Sequence, residues 1–235
     1  MHRKLKPVYW SPSSRTALAE AELEYNEEHV SIAAWVGMRI TEPAGLPTIA
    51  HDAKATIWTT TPWTLPANSA VAFAPDTEYC VVRDRGEKYV VSVGSLERLC
   101  EALGVDNMEE LGRFPGSAFQ GAICEHPVLD DQISPMIPGE HVTDDMGSGL
   151  VHTAPAHGAE DFDACIDHPD LPLRCPVDNA GRFNSTVGIE SLVGLPVRSP
   201  HLCYTASHMC VAGARSGQRS GAGAIVGVRR VSPQS

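Results

Sequence analysis

Residues 55–68 read ATIWTTTPWTLPAN, and the interpretation of the rest of the chain starts from this stretch. Its first four residues are apolar or β-branched, as in a buried strand. Pro62 and Pro66 prevent a regular strand from continuing, and three consecutive threonines are poor helix formers. The sequence therefore predicts a strand over 55–58 that opens into a shaped, threonine-rich loop over 59–68.

Short strand-like segments on both sides of this stretch indicate the fold class. Residues 30–40 form an apolar run with β-branched side chains, and residues 19–25 alternate strictly, which also predicts a strand. Further strands are predicted at 71–73, 79–83, 89–92, 123–128, 133–137 and 149–153. Many short strands with few helices favour a mixed α/β, strand-dominated fold, a barrel-like β domain with peripheral short helices and an irregular C-terminal tail.

Two short helices are predicted at the periphery. Ser95 is placed to cap a helix over Leu96–Leu103, which Gly104 would end. Residues 159–166 suit a second helix, with Glu160 and Asp161 in its first turn. Residues 199–235 are rich in Gly, Ala, Ser and Arg without periodicity, so we expect this tail to be largely disordered.

Composition and charge exclude several classes of protein. The chain has 235 residues, of which 43% are hydrophobic and 20% charged, as in an ordinary globular protein. No apolar run approaches the roughly 20 residues of a membrane-spanning helix, and the basic start lacks the apolar core of a signal peptide. The net charge is −11, yet residues 199–235 carry four arginines and no acid, so residues 1–198 carry −15. That charge argues against broad nucleic-acid binding, although a small local site stays open.

The seven cysteines are widely spaced and form no C-x-x-C pair. An odd, scattered set is typical of reduced, buried thiols in an intracellular protein rather than of a disulfide framework or a zinc finger.

The threonine-rich segment can carry chemistry without a charged nucleophile. It offers the hydroxyls of Thr59, Thr60, Thr61 and Thr64, together with backbone amides held by its prolines. Such a loop can orient a water molecule or bind an ester oxygen. The alternative is that the hydroxyls only cap the loop's own backbone.

A second candidate segment, residues 147–162, reads GSGLVHTAPAHGAEDF. A strand brings His152 to its end, a tight turn holds His157, and Asp161 starts a helix; such positions often form sites. These three side chains could bind a metal, but their spacing matches no strong zinc motif, and a Ser-His-Asp triad would lack its G-x-S-x-G turn. The third alternative is that the carboxylate beside a histidine only makes a satisfied hydrogen bond.

Together the two segments resemble the editing domain of isoleucyl-tRNA synthetases of the bacterial and mitochondrial type. Residues 57–68 resemble the family's threonine-rich peptide, and residues 149–158 with Asp161 resemble its second signature. Residues 6–25 resemble the stalk that leads in from the catalytic domain, and the likeness runs from about residue 4 to 197. The resemblance implies a stalk over 1–28, an editing domain over 29–198 and a tail outside the family over 199–235.

The departures from the family pattern limit what the chain can be expected to do. Ser11 and Ser14 stand where many relatives carry the cysteines of W-C-x-x-C, so no metal site is expected there. The nucleotide-binding motifs H-I-G-H and K-M-S-K-S are absent. The resemblance therefore implies a fragment or isoform of a larger ligase, in which ATP and Mg²⁺ serve the parent enzyme only and editing needs no cofactor.

The implied reaction is hydrolysis of mischarged Val-tRNA(Ile). Rejection of valine by this family is the standard illustration that one missing methylene is worth only about 1–3 kcal/mol, so a second site must remove what the first admits. The resemblance casts Asp161 as the partner of the substrate's α-ammonium group and His152 as a steric wall. Side chains around the terminal adenosine and the attacking water would be Thr59, Thr60, Thr61, Thr64 and Asn68, with Trp63 and His157 also binding substrate.

The expected partner is the aminoacylated 3′ end of tRNA(Ile), with no membrane. The resemblance places the parent enzyme in the mitochondrial matrix, but this chain shows no transit segment, which leaves the cytoplasm open. Two rival hypotheses are an inert splice product or tRNA-end binding module, and an unrelated metal hydrolase that would contain zinc.

Overall fold

The computed structural model describes residues 6–24, 31–197 and 224–231. Within these ranges six strands close into a barrel, in the order β3, β9, β10, β5, β11, β4 and back to β3. Their bounds are β3 Ser31–Glu42, β4 Lys54–Thr59, β5 Ala70–Phe73, β9 Ile123–Glu125, β10 Ile133–Pro138 and β11 Leu150–Thr153. Two of the six pairings are parallel, β4 with β11 and β5 with β10. The predicted strand-dominated barrel is thereby confirmed.

The barrel closes because β3 pairs with β4 on one side and β9 on the other, and side chains along each strand alternate between an inward and an outward face. Along β3, Ala34, Val36, Met38 and Ile40 are buried in the main core, with Ile57 from β4 beside them. An aromatic group fills the end of this core, where the Phe119 ring lies 4.9 Å from that of Tyr79. The predicted run over 30–40 is thus the longest wall of the barrel.

Three strands extend the sheet beyond β4, namely β6 Glu78–Asp84, β7 Glu87–Ser92 and β8 Glu109–Pro115. Helix α1, Leu96–Leu103, packs Leu99 and Cys100 against their outer face. Gly104 ends the helix with φ +68°, as predicted, but Ser95 does not cap it, because its hydroxyl bonds that of Ser92 instead. Strand β8 was not predicted, because its sequence is polar and lacks a regular alternation of apolar residues. Its residues are accordingly buried to different extents.

Predicted element bounds differ from the observed ones where local hydrogen bonds take over. Residues 19–25 were expected to form a strand, but Glu20–Glu22 is a 3₁₀ turn, and Tyr25 lies outside the described residues. The Glu22 carboxylate accepts the Ala19 N–H at 2.7 Å, so a local cap outweighs the alternating pattern. Strands β1 Tyr9–Ser11 and β2 Thr16–Leu18 precede this turn as a hairpin.

The C-terminal tail is only partly as expected. Residues 224–231 form strand β12, Ala224–Val231, antiparallel to β3, whereas disorder was predicted for most of this region. A strand forms there because β3 offers a free edge over residues 31–37. Residues 198–223 and 232–235 lie outside the described residues.

Among the described residues, no helix is both long enough and apolar enough to cross a membrane.

Candidate functional site

The threonine-rich segment leaves the barrel at the end of β4. Thr59 is buried, and its hydroxyl oxygen accepts the N–H of Thr61 at 3.1 Å, which turns the chain sharply. A short 3₁₀ helix, Pro62–Ala67, then follows, where an irregular loop was predicted. Pro62 takes its first position, where the missing N–H costs no hydrogen bond. Helical winding points Thr64 back into the protein and leaves Thr60 and Thr61 at the surface.

Strand pairing brings the second candidate segment alongside the first. Strand β11 runs parallel to β4, with Val151 opposite Trp58, so His152 lies next to the threonine turn. The His152 Nε2 atom is 2.9 Å from the Thr64 hydroxyl. The two stretches singled out from the sequence therefore form one site.

Asp161 reaches the same site from helix α2, Ala159–Ala164. Its Oδ2 atom accepts the backbone N–H of Ala154 at 2.9 Å, which fixes the carboxylate over the turn after β11. Gly158 makes this possible, because a Cβ there would lie 2.6 Å from Oδ2. The other oxygen, Oδ1, makes no hydrogen bond within the described residues. Burial raises the pKa of Asp161, while the Ala154 N–H and the charge of His141 oppose that shift.

These elements enclose a cleft of about 410 Å³. It contains eight of the nine residues that the sequence singled out. They are Thr59, Thr60, Thr61, Trp63, Thr64, His152, His157 and Asp161. Thr61 and Asp161 thus face the same space, as the hypothesis of a threonine-lined cleft beside an acidic anchor requires.

Asn68 is the exception, since it does not line the cleft. It is fully buried behind His152, and its amide nitrogen lies 2.6 Å from His152 Nδ1. Asn68 therefore lies behind the lining of the cleft, whereas it was expected among the side chains around the adenosine and the water. The 3₁₀ helix is the reason, because it turns Asn68 inward where a loop was expected to present it to the cleft.

The two histidines predicted for the site, His152 and His157, differ in their hydrogen bonding and packing. Burial lowers the pKa of His152 to about 3, so its ring is neutral at physiological pH. His157 is packed edge-on against Trp63, with ring centroids 5.2 Å apart, and burial lowers its pKa as well. The His157 Nε2 atom is buried and has no hydrogen-bond partner in the described structure.

The cleft also contains residues that sequence reasoning missed. Trp58 is contributed by β4, and the loop before β11 adds His141, Thr143 and Met146, of which Met146 is 63% exposed. Glu160 completes the rim next to Asp161. Adjacency to the threonines is a signal that could have found Trp58, but nothing in the sequence marks the loop residues.

The chemical character of the cleft is acidic and hydroxylic. Its lining includes two carboxylates and five threonines but no Lys, Arg, Cys or Ser. Within the described part of the chain, no group of three or more His, Cys, Asp or Glu side chains is placed to hold a metal ion. Such a lining favours a cationic ligand group and can orient a water molecule.

Comparison with known proteins places the chain in a family. No protein-family model matches the sequence. The mitochondrial isoleucine–tRNA ligase of Mus musculus is 42% identical over 196 residues, which cover 81% of this chain and 19% of the enzyme. The isoleucine–tRNA ligase of Desulforamulus reducens is 43% identical over 188 residues, or 80% and 20% of the two chains. The chain thus spans about one fifth of the length of these relatives.

Two solved structures align with part of the chain. The editing domain of the P. knowlesi cytosolic leucyl-tRNA synthetase aligns with a TM-score of 0.48 at 12% identity, over 59% of this chain and 64% of that one. GlLeuRS-CP1 aligns with a TM-score of 0.46 at 16% identity, over 57% and 59%.

The level of sequence identity to full-length ligases decides the class, and the chain belongs to the aminoacyl-tRNA synthetase family. Within that family it is homologous to one segment of the isoleucine–tRNA ligases, mitochondrial and bacterial alike.

Proposed function

We propose that this chain is the editing part of an isoleucine–tRNA ligase and that it hydrolyses the ester of mischarged Val-tRNA(Ile). The observation that carries the proposal is the juxtaposition of a threonine-lined wall and a single anchored carboxylate in one cleft. The coarser assignment to the synthetase family supports it. Valine as the amino acid, tRNA(Ile) as its carrier and hydrolysis as the reaction are all part of this proposal.

Asp161 supplies the anchor for the substrate. Its Oδ1 oxygen is free to accept a hydrogen bond from the α-ammonium group of an esterified amino acid, while Ala154 holds Oδ2. A charge-assisted hydrogen bond of this kind is stronger than a neutral one. The cleft has no lysine or arginine in its lining, so neither competes with the α-ammonium group for the carboxylate.

His152 supplies the limit on size. Its ring is 94% buried and held at both nitrogens, so it cannot swing away from a larger side chain. A fixed wall of this kind accepts valine and excludes the extra methylene of isoleucine.

The hydroxyls of Thr60 and Thr61 are placed to orient the attacking water. The Thr60 hydroxyl has no hydrogen-bond partner in the described residues, and the Thr61 hydroxyl has only that of Thr59, at 3.3 Å. The water oxygen bonds to the ester carbonyl carbon, the bond from that carbon to the ribose oxygen breaks, and the ribose oxygen takes the proton that water releases. An ester is already activated, so positioning the water supplies much of the rate.

The cleft does not fit the cofactor of the parent ligase. ATP carries a triphosphate, whereas the lining here has two carboxylates and no lysine or arginine. No step of the proposed hydrolysis uses ATP or Mg²⁺. Residence of the full-length enzyme in the mitochondrial matrix is also part of the proposal, supported by the mitochondrial relatives.

The test is deacylation of purified Val-tRNA(Ile) by the full chain. We expect release of valine, slow or no release of isoleucine from Ile-tRNA(Ile), and no isoleucine-dependent exchange of pyrophosphate into ATP. Stable binding of Val-tRNA(Ile) without cleavage would overturn hydrolysis in favour of a tRNA-end binding module. Absence of both binding and cleavage would identify an inert fragment.

A further inference from the structure

Behind the cleft, five buried or half-buried groups form one continuous chain of hydrogen bonds. Ser134 from β10 contacts Asn68, Asn68 contacts His152, and His152 contacts Thr64, which in turn contacts the carbonyl of Thr61. Ser134 and Asn68 are fully buried, so water cannot substitute for a missing partner in this chain. Each group therefore has to present the correct donor or acceptor to its neighbour.

The orientation of the Asn68 amide decides which partner donates in every hydrogen bond of this series. Its nitrogen lies 2.9 Å from the carbonyl oxygen of Ala70, which can only accept. The second N–H of the same nitrogen then points to His152 Nδ1, which must accept it. The amide oxygen is left to accept the hydroxyl of Ser134 at 2.5 Å. A flipped amide would set its oxygen against the Ala70 carbonyl oxygen, which can only accept.

The directions of the remaining hydrogen bonds follow from this orientation of the amide. Because Nδ1 of His152 accepts, a neutral ring carries its proton on Nε2 and donates it to the Thr64 hydroxyl at 2.9 Å. The Thr64 hydroxyl then donates its own proton to the Thr61 carbonyl at 2.8 Å. The chain ends at Thr61, whose side chain reaches the cleft.

We propose that Asn68 and Ser134 are positioning residues that lock His152 in the neutral tautomer with its proton on Nε2 and thereby hold the turn that presents Thr61 to the cleft. The tautomer stands on geometry alone, and only its effect on deacylation rests on the proposed function. An imidazolium at this position would have to donate at Nδ1 toward the amide N–H of Asn68, which the packing opposes.

The direct experiment is nitrogen NMR of the full chain labelled with ¹⁵N in histidine. We expect His152 to show a protonated Nε2 and an unprotonated Nδ1, unchanged between pH 8 and pH 5. A proton on Nδ1, or titration of the ring in this range, would overturn the proposal. This measurement needs no enzymatic activity.

Variants of the two positioning residues test their role. Ser134→Ala removes one of the two groups that fix the amide and leaves the Ala70 carbonyl as the other, so a minor population of the second tautomer should appear in the His152 signals. Val-tRNA(Ile) deacylation should fall in kcat by about tenfold, on the scale of one lost buried hydrogen bond. Asn68→Asp should move the proton to Nδ1, because a carboxylate cannot donate there. Ser92→Ala is the matched control. It removes a buried hydroxyl that takes no part in this series of hydrogen bonds, and it should leave the His152 signals unchanged.

Outcomes for the tautomer and for the activity can be separated. If Ser134→Ala folds and leaves the His152 nitrogens as in the parent chain, the positioning role is wrong. If the parent chain shows the expected tautomer but does not cleave Val-tRNA(Ile), the proposed function fails and the positioning role stands.

Discussion

The two walls of the cleft are built on opposite principles. The inner wall is formed by Thr64 and His152, with Asn68 and Ser134 directly behind it, and all four side chains are buried and hydrogen-bonded. The outer wall, Thr60, Thr61, His157 and Asp161, is half-buried or exposed and keeps atoms without a protein partner. Buried polar groups without partners are costly, so the inner wall satisfies itself. The outer wall leaves its hydrogen-bonding groups for a ligand.

This difference predicts how substitutions in the two walls will behave. Changes in the outer wall should alter chemistry more than stability, because several of its hydrogen-bonding atoms have no partner among the described residues. Changes in or behind the inner wall should alter stability, specificity or the state of His152. The following predictions test this division, beginning with the largest expected effect.

Asp161→Ala should reduce deacylation of Val-tRNA(Ile) by about 100-fold, because the charged anchor for the α-ammonium group is lost. Asp163→Ala, on the same helix but outside the cleft, is the matched control and should deacylate normally. The urea midpoint of Asp161→Ala should fall somewhat, because the buried Ala154 N–H loses its acceptor, whereas that of Asp163→Ala should stay close to the parent chain. Normal deacylation by Asp161→Ala would remove this residue from the site.

The same residue predicts a dependence on pH. Because burial raises the pKa of Asp161, its carboxyl group takes up a proton at a higher pH than an exposed aspartate. Substrate binding should therefore weaken as pH falls through that raised pKa, seen as a rise in KM. A KM that stays constant on acidification would contradict an ionised anchor.

His152→Ala should relax the proposed size limit, since it removes a ring from the inner wall of the cleft, where we propose that the substrate side chain lies. We expect the rate of Ile-tRNA(Ile) hydrolysis to rise about tenfold above that of the parent chain. This is the size of the discrimination that a pocket achieves between side chains that differ by one methylene. Deacylation of both charged tRNAs should be measured side by side. If Ile-tRNA(Ile) stays intact while Val-tRNA(Ile) is cleaved normally, the wall lies elsewhere.

Gly149→Ala should destabilise the inner wall from behind. Gly149 leads into β11 with φ +74°, and a Cβ there would lie 2.4 Å from Ser92 Cβ. We expect a loss of about 3 kcal/mol in the free energy of unfolding, from strain and overlap together. Gly104→Ala is the control, because it shares the positive φ but meets no atom within 4 Å, and should cost only about 1 kcal/mol. Equal losses in urea unfolding would show that the overlap is relieved.

The smallest expected effect concerns His126, which lies behind the inner wall. Burial lowers its pKa to about 3, and its Nδ1 atom accepts the N–H groups of Val128 and Leu129. An unfolded histidine takes up a proton near pH 6.5, so the unfolded state binds more protons and stability falls as pH drops from 6.5 toward 3.

His126→Asn keeps an acceptor for both N–H groups but cannot titrate. The decline of the urea midpoint between pH 7 and pH 4.5 should therefore be shallower in this variant than in the parent chain, with His152 accounting for part of what remains. An unchanged decline would assign the acid sensitivity to other groups.

Local patterns predicted much of the barrel because each strand carries its own signal. The β-branched stretch over 55–58 is β4, and the apolar run over 30–40 is most of β3. Prediction failed where a local hydrogen bond competes with the pattern. Residues 19–25 form a capped 3₁₀ turn in place of a strand, and the strand predicted over 123–128 ends at Glu125, where His126 begins to accept backbone N–H groups.

The sequence by itself determined the strand-dominated class, the two segments that carry the site, and the kinship with isoleucine–tRNA ligases, because short-range patterns and motifs hold that information. Only the tertiary structure decided that β4 and β11 lie side by side, that Asn68 supports His152 from behind, and that His141 and Met146 border the cleft. Those relations join residues far apart in the chain, and burial and pairing in three dimensions govern them, which no local pattern encodes.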